Sequence, residues 1–231
     1  MNSEPKFACV IAAGGSGTRF GTDIPKQFAY LGGYPVIAHT VRKFCENKLI
    51  SEIVIVSHGD YVVYCSDIVR ELGLKKVVSV VRGGKTRGQS VRIGLEQLSD
   101  DVTHVLIHDA ARPGVSDSLI TDCCIAASEY GACTAAVRAV DTLKISEDGE
   151  FASKTVDRNK FWQIQTPQGF EKNAVLRWHN MAKADGFDAT DDCALAEKYG
   201  ARVKLVEGSR TNIKITEKGD LDIMEAIIGC E

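Results

Sequence analysis

The sequence predicts an α/β protein: a three-layer α/β/α sandwich around a mostly parallel sheet, with a β-hairpin that projects from it. Short apolar runs rich in valine, isoleucine and alanine recur along the 231 residues, and segments with helical spacing of apolar residues separate most of them. Continuous apolar strands that alternate with helices are typical of a parallel sheet covered on both faces. Right-handed crossovers between such strands then produce three layers.

The apolar runs define six strands, and the segments between and after them define five helices. The strands are expected at 7–13, 52–57, 76–81, 103–108, 132–138 and 202–206, and the helices at 35–47, 60–72, 88–98, 116–130 and 217–228. Residues 141–160 are polar and contain a turn signal at 147–149, so they are predicted to form a β-hairpin outside the main sheet. We find no linker or repeat. We therefore expect a single domain over residues 1–231, with 141–160 as an arm within it.

The composition excludes several classes of protein. Lysine and arginine total 28 against 31 aspartate and glutamate residues, and this net charge of −3 argues against a nucleic-acid or anionic-membrane binder. No apolar run approaches the roughly 18–20 residues of a membrane span. The first strand pattern begins at residue 7, so we expect no leader peptide and a cytoplasmic protein. The eight cysteines include no Cys-x-x-Cys pair and are interpreted as structural thiols.

A glycine-rich loop follows the first predicted strand. It contains Ala12, Ala13, Gly14, Gly15 and Gly17, with Arg19 and Lys26 close behind. Glycines let the backbone bend tightly and direct N–H groups at an anion, and the two cations supply the fixed charge that a triphosphate requires. A plain strand-to-helix turn is the alternative, but it leaves both cations unexplained. The dinucleotide-binding fingerprint and the Walker A loop are excluded, because Phe20 and Ser79 stand where these motifs require glycine.

A carboxylate and two further basic residues complete the candidate site. Asp109 follows the fourth predicted strand at the sheet edge that carries the glycine-rich loop, where it can hold Mg²⁺ against phosphate oxygens; the alternative is that it caps a turn. Arg112 either binds a second phosphate or pairs with Asp109. Lys214 lies in the alternating run 212–216, interpreted as a strand, where an ordinary solvent-facing lysine is the alternative to a phosphate ligand. Residues 83–90 form another hydrogen-bonding loop on the same edge.

Together these segments resemble the 2-C-methyl-D-erythritol 4-phosphate cytidylyltransferase family. The resemblance rests on Ala-Ala-Gly-Gly-x-Gly-x-Arg-x-Gly at 12–21 with Pro-Lys-Gln at 25–27, Gly-Gly-x-x-Arg-x-x-Ser-Val at 83–91 and His-Asp-Ala-Ala-Arg-Pro at 108–113. It continues through Asp-Thr-Leu-Lys at 141–144, Thr-Val-Asp-Arg at 155–158, Gln-Thr-Pro-Gln at 165–168, Thr-Asp-Asp at 190–192 and Asn-Ile-Lys-Ile-Thr at 212–216. Phe20 departs from the methionine common in the family, but both residues are bulky and apolar.

The resemblance implies a Rossmann-like nucleotidyltransferase fold and a reaction of isoprenoid synthesis by the non-mevalonate route. In that reaction CTP and 2-C-methyl-D-erythritol 4-phosphate, a phosphorylated sugar alcohol, give 4-diphosphocytidyl-2-C-methyl-D-erythritol and pyrophosphate. Arg19, Lys26 and Lys214 would contact the CTP phosphates and act in catalysis, and Asp109 would bind Mg²⁺ or another divalent cation. Cytosine and ribose would be held by the 12–17 backbone, Gly83, Gly84 and Ser90. The second substrate would be held by Ala110, Arg112, Thr142, Arg158, Thr166 and Thr190.

The resemblance further implies a homodimer with exchanged arms, in which each arm brings Thr142 and Arg158 to the partner's site. The lysine and arginine residues of the candidate site suit the cytidylyl transfer. The attacking phosphate oxygen is already ionised at neutral pH, so the reaction needs positioned cations rather than a base. Ribitol-5-phosphate cytidylyltransferase, which shares the fold and the CTP site, is the nearest alternative enzyme. A non-catalytic nucleotide-binding regulator is the alternative from another class, and the joint presence of Asp109, Lys26 and Lys214 argues against it.

Overall fold

A seven-stranded mixed sheet lies at the centre of the computed structural model, which describes residues 4–15, 20 and 24–229. The strands of this described part are β1 (Phe7–Ala13), β2 (Tyr30–Leu31), β3 (Tyr34–Pro35), β4 (Ile50–Ser57), β5 (Val77–Arg82), β6 (His104–Asp109), β7 (Ala132–Arg138), β8 (Lys144–Ile145), β9 (Lys154–Thr155), β10 (Trp162–Glu171) and β11 (Lys204–Glu207). Its helices are α1 (Val36–Glu46), α2 (Val62–Glu71), α3 (Arg87–Leu95), α4 (Asp117–Tyr130), α5 (Lys172–Asp185), α6 (Asp192–Lys198) and α7 (Gly219–Ile228). The predicted α/β class is confirmed.

The pairing of the strands determines where a ligand can bind. The order in the main sheet is β11-β7-β10-β6-β1-β4-β5. β6, β1, β4 and β5 are mutually parallel, as are β7 and β11, whereas β10 runs antiparallel to both of its neighbours. The carboxyl ends of four adjacent parallel strands therefore share one edge. In open α/β sheets, ligands bind beyond that edge.

Alternation of side chains along β1 assigns the helices to two layers. Cys9 and Ile11 face the side on which buried residues of α1, α2 and α4 pack. Ala8 and Val10 face the opposite side, which is covered by α3, α5 and α6. Because successive strand residues point to opposite faces, one apolar strand contributes to both halves of the core. The predicted three-layer sandwich is therefore confirmed.

The sequence pattern does not predict the central strand β10 or the helices α5 and α6. β10 has the sequence Trp-Gln-Ile-Gln-Thr-Pro-Gln-Gly-Phe-Glu. Glutamine, proline and glycine are not typical of a central strand, so the sequence pattern does not predict one here. In the structure, each of the two buried glutamines has its own hydrogen-bond partner. Gln165 donates from Nε2 to the Ser209 carbonyl at 2.8 Å, and Gln168 donates from Nε2 to Asp191 Oδ2 at 2.8 Å. Buried amides with partners of this kind are tolerated in a sheet interior.

The prediction of a strand at 212–216 is wrong. This segment is irregular, and α7 begins only at Gly219. The alternation of apolar and polar residues in this segment does not come from strand pairing. Instead, Asn212 and Ile215 are individually buried, and the Ile215 N–H donates to the Ala111 carbonyl at 2.9 Å. The other predicted strands and helices lie close to their expected positions.

The predicted hairpin is present as a separate two-stranded sheet. β8 pairs antiparallel with β9, with Lys144 opposite Thr155. The Asp148 carboxylate accepts the N–H groups of Glu150 and Phe151, both at 2.9 Å, and these bonds hold its pKa below the usual range. In the described part of the chain, no helix is both long enough and apolar enough to cross a bilayer.

Candidate functional site

A cavity of about 950 Å³ opens at the carboxyl edge of β1, β4, β5 and β6. Ten of the predicted site residues line it: Ala12, Gly14, Gly15, Lys26, Gly83, Gly84, Ser90, Asp109, Ala110 and Lys214. The loops after four parallel strands thus converge on one space, as the topology requires. Gly17 and Arg19 lie outside the described residues, so their predicted roles stay predictions.

The first loop is supported by a residue that the sequence analysis did not assign to the site. Gln27 is buried and donates from Nε2 to the carbonyls of Ala13 at 2.8 Å and Gly15 at 2.9 Å. One amide therefore fixes the loop on both sides of Gly14. Its only signal in the sequence is its place beside Lys26 in the Pro-Lys-Gln motif.

The second loop is shaped by close packing around two glycines. The Ser90 hydroxyl accepts the Gly84 N–H at 3.1 Å and donates to the Thr86 carbonyl at 2.9 Å, and Thr86 caps α3. A Cβ at Gly83 would lie 2.7 Å from Ser90 Oγ, and one at Gly84 would lie 2.5 Å from Gln89 Cβ. These approaches exclude any side chain, which explains the paired glycines here.

Asp109 lies in the cavity among several positively charged side chains. Its Oδ2 lies 2.9 Å from Lys214 Nζ and 3.4 Å from Arg112 Nε. Burial alone would raise the pKa of this carboxyl, but Lys214, Arg87 and Arg112 outweigh burial and hold the pKa well below its usual range. The side chain is therefore an anion among cations rather than a turn cap.

Arg112 and Lys214 both pair with Asp109 but differ in their exposure. Arg112 is buried, pairs with Asp109, and donates from Nη1 to the Asn212 carbonyl at 2.8 Å. Lys214 has an exposed side chain, but the side chain turns into the cavity and meets Asp109. Asn212 brings this segment to the site, because its Nδ2 donates to the Thr166 carbonyl at 2.8 Å.

Thr166 lies directly beneath Asp109 rather than on the cavity wall. Its hydroxyl accepts the Asp109 N–H at 3.1 Å and lies 2.9 Å from His108 Nδ1. Burial lowers the pKa of His108 to about 3, so the ring is neutral at physiological pH. The hydroxyl therefore donates to Nδ1, and Nε2–H donates to the Arg112 carbonyl at 3.2 Å. His108, not predicted as a site residue, thus fixes the turn that carries Asp109 and Arg112.

Three residues that were predicted to bind the second substrate do not line the cavity of their own chain. Thr142 and Arg158 are exposed at the base of the arm, where Arg158 Nη1 donates to the Val140 carbonyl. Thr190 is exposed in the segment before α6. Ala13, the remaining predicted contact, is buried beneath the glycine-rich loop.

Oxygen ligands suit this site better than a thiol or histidine cluster. Among the described residues, no group of three histidine, cysteine, aspartate or glutamate side chains could hold a metal ion. The seven described cysteines are free, and burial raises the pKa of thiols such as Cys9 and Cys65. Mg²⁺ is commonly bound by one or two carboxylates together with water and substrate phosphates. The single ionised carboxylate of Asp109 fits that pattern.

Glycine-rich loops and an ionised carboxylate at the carboxyl edge of a parallel sheet are the arrangement expected of an α/β nucleotidyltransferase. A sequence model of the 2-C-methyl-D-erythritol 4-phosphate cytidylyltransferase family matches residues 7–230. The chain belongs to this family, and it is a cytidylyltransferase.

Relatives and solved structures agree with this assignment along nearly the whole chain. The chain is 41% identical over 224 residues to the 2-C-methyl-D-erythritol 4-phosphate cytidylyltransferase of Clostridium novyi, with 96% of each chain covered. It is 39% identical over 229 residues to that of Alkaliphilus oremlandii, covering 99% of this chain and 97% of the relative. The 4-diphosphocytidyl-2C-methyl-D-erythritol synthase of Anaerococcus prevotii superimposes with a TM-score of 0.86 at 30% identity, covering 97% and 96% of the two chains.

Proposed function

We propose that this chain transfers a cytidylyl group from CTP to 2-C-methyl-D-erythritol 4-phosphate, and that the cavity around Asp109 is the site of transfer. Family membership supports the reaction. The observation that supports the location is the convergence of Asp109, Lys26 and Lys214 with two glycine-rich loops at one sheet edge. A cytoplasmic location is proposed with it, since both substrates are water-soluble phosphates and the described cysteines are free thiols.

The proposed step is a displacement at the α-phosphorus of CTP. An oxygen of the acceptor phosphate forms the new P–O bond, the bond between the α-phosphorus and the bridging oxygen breaks, and pyrophosphate leaves with the electron pair. The attacking oxygen is already ionised, so the main requirement is to reduce repulsion between anions. Lys26 and Lys214 supply fixed positive charge at the cavity wall, and Arg19 is proposed to join them.

Asp109 is the residue proposed to hold a divalent cation, with Mg²⁺ the preferred candidate. Such an ion would neutralise charge on the triphosphate oxygens. Asp109 Oδ2 also lies 2.9 Å from Lys214 Nζ. Lys214 is proposed to contact the substrate phosphates from its position beside Asp109 on the cavity wall.

Pyrophosphate release tests both the reaction and the acceptor. Purified protein with CTP and Mg²⁺ is expected to release pyrophosphate with 2-C-methyl-D-erythritol 4-phosphate and not with CTP alone. Ribitol 5-phosphate serves as the matched acceptor, and it is expected to give a kcat/KM lower by at least about tenfold. A preference for ribitol 5-phosphate would overturn the assignment of the acceptor, and CTP binding without turnover on either would favour a regulator.

The arm supports the proposal of a homodimer with shared sites. A two-stranded hairpin alone is only marginally stable in water, and in the described part of the chain β8 and β9 pair only with each other. Apolar side chains at its ends and tip, Ile145, Phe151 and Phe161, are between 43% and 73% exposed. A second copy of the chain is the commonest partner for such a surface. We propose that Thr142 and Arg158 reach the acceptor in the partner's site.

Mixing two inactive variants tests this sharing. Arg158→Ala and Asp109→Asn subunits, combined and allowed to exchange, should form heterodimers that contain one intact site. Random pairing in a 1:1 mixture then predicts recovery of about a quarter of the wild-type activity. The control mixture is Asp109→Asn with Lys214→Ala, because both changes lie on the same side of the interface and no intact site can form. Sedimentation as a monomer, or no recovery after proven exchange, would contradict shared sites.

A further inference from the structure

Arg87 is a basic residue beside the site to which neither the motif analysis nor the proposed mechanism gives a role. It is the first residue of α3, directly after the loop that carries Gly83 and Gly84. Its side chain lines the cavity around Asp109 and also a smaller cavity of about 490 Å³ behind it. The guanidinium group therefore forms part of the wall between these two spaces.

The buried carboxylate of Asp192 holds this guanidinium group in place. Arg87 Nη1 lies 2.6 Å from Asp192 Oδ2, and the side chain is 30% exposed. Burial would lower the pKa of Arg87, but the charges of Asp192 and Asp109 outweigh burial and raise it. Arg87 in turn helps to lower the pKa of Asp109. Arg87 and Asp109 line the same cavity, so this cation lies at the proposed reaction centre, where it can act on charge that develops there.

Asp192 is fixed by burial and by polar contacts to two other residues besides Arg87. It is wholly buried, its Oδ1 contacts His179 Nε2 at 3.1 Å, and its N–H donates to Gln168 Oε1 at 3.1 Å. It begins α6, next to Thr190 and Asp191. A buried carboxylate is costly unless it is paired, so its ion pair with Arg87 ties the Gly83–Gly84 loop to the Thr190 segment.

The contact between Arg87 and Asp192 leaves donor capacity on the arginine. The ion pair joins one guanidinium nitrogen, Nη1, to Asp192 Oδ2 at 2.6 Å. A guanidinium group carries five N–H donors, so further donors remain on Arg87. Arg92, one turn along α3, differs: it pairs with Glu96 on the same helix and lines only the smaller cavity.

We infer that Arg87 is a further catalytic residue, whose guanidinium group contacts the phosphoryl groups that react, and that Asp192, braced by His179, is a positioning residue for it. This inference rests on the proposed function. A planar guanidinium can contact a carboxylate along one edge and a phosphate along another, whereas a lysine ammonium is a single point of charge. A fixed cation of this kind stabilises charge that builds up in the transition state.

Chemical rescue tests the role of Arg87. Arg87→Ala should lower kcat by about 10²-fold, the scale of one lost electrostatic contact. Guanidinium ion, added far below denaturing concentrations, should restore part of kcat by occupying the space beside Asp192. Arg87→Lys should keep the thermal stability of the wild type and yet show a reduced kcat, whereas a merely structural ion pair would be satisfied by lysine. Arg92→Ala is the matched control, with unchanged kcat and no response to guanidinium.

The role of Asp192 is tested by its dependence on Arg87. Asp192→Asn should lower kcat about tenfold in the wild-type background but by less than about twofold in Arg87→Ala, because residues that act as a unit are non-additive. Guanidinium should not rescue the double variant. If Asp192→Asn does not fold, the Arg87→Ala rescue and the Arg87→Lys comparison still decide the matter.

The outcomes separate this inference from the proposed function. Wild-type turnover of CTP with the acceptor is measured first, and its absence would count against the function itself. With an active wild type, near-normal kcat in Arg87→Ala would overturn the inference. Additive effects of the Arg87 and Asp192 changes would overturn the positioning role of Asp192.

Discussion

Replacing Asp109 with asparagine should lower kcat by at least ~10²-fold, because the change keeps the shape of the side chain and removes the charge proposed to anchor the divalent cation. The same change leaves Lys214, Arg112 and Arg87 without the anion that they share. We therefore expect a lower thermal midpoint together with a native circular-dichroism spectrum. Steady-state turnover at saturating CTP and Mg²⁺, with thermal denaturation of the same preparation, measures both effects.

Asp101→Asn is the matched control for this change. Asp101 is an exposed carboxylate that pairs with Lys6 at 2.6 Å, far from the cavity lining. Surface pairs of this kind contribute little to stability, so both kcat and the thermal midpoint should stay near wild type. Turnover of Asp109→Asn close to that of Asp101→Asn would remove Asp109 from the mechanism.

Replacing Lys214 with alanine should lower kcat by ~10²-fold or more, on the scale of about 3 kcal/mol for one positioned donor. The lysine side chain is 41% exposed, and Asp109 keeps Arg112 as a partner. The loss should therefore appear in turnover rather than in stability, in contrast to Asp109→Asn. A fall in kcat that exceeds any rise in KM for CTP would indicate that the contact strengthens in the transition state.

Lys218→Ala is the control for charge alone in this region. Lys218 is exposed just before α7 and does not line the cavity. Its loss changes the net charge by the same amount as Lys214→Ala but should leave kcat unchanged. If Lys214→Ala retains more than about a tenth of wild-type kcat, its proposed role in the transfer is refuted.

The sequence by itself determined the α/β class, most strands and helices, the arm and the family. The class, the strands and helices and the arm follow from local information, namely the spacing of apolar residues, turn residues and glycines at the ends of strands. The family follows from the resemblance of the motifs. The position of Asp109 at the end of a parallel strand was sufficient to predict that it faces the glycine-rich loop, because parallel strands present their carboxyl ends at one edge. β11 and α7 were also found from their apolar spacing alone.

Only the tertiary structure decided the contacts between distant segments. β10 is central because its buried glutamines find partners in other segments, which no local pattern reveals. Arg112 pairs with Asp109 and also reaches the carbonyl of Asn212, 100 residues away in sequence. The Arg87–Asp192 pair likewise joins α3 to α6. Such contacts depend on which elements the topology places side by side, because the energy of burying a charge depends on partners that are distant in the chain.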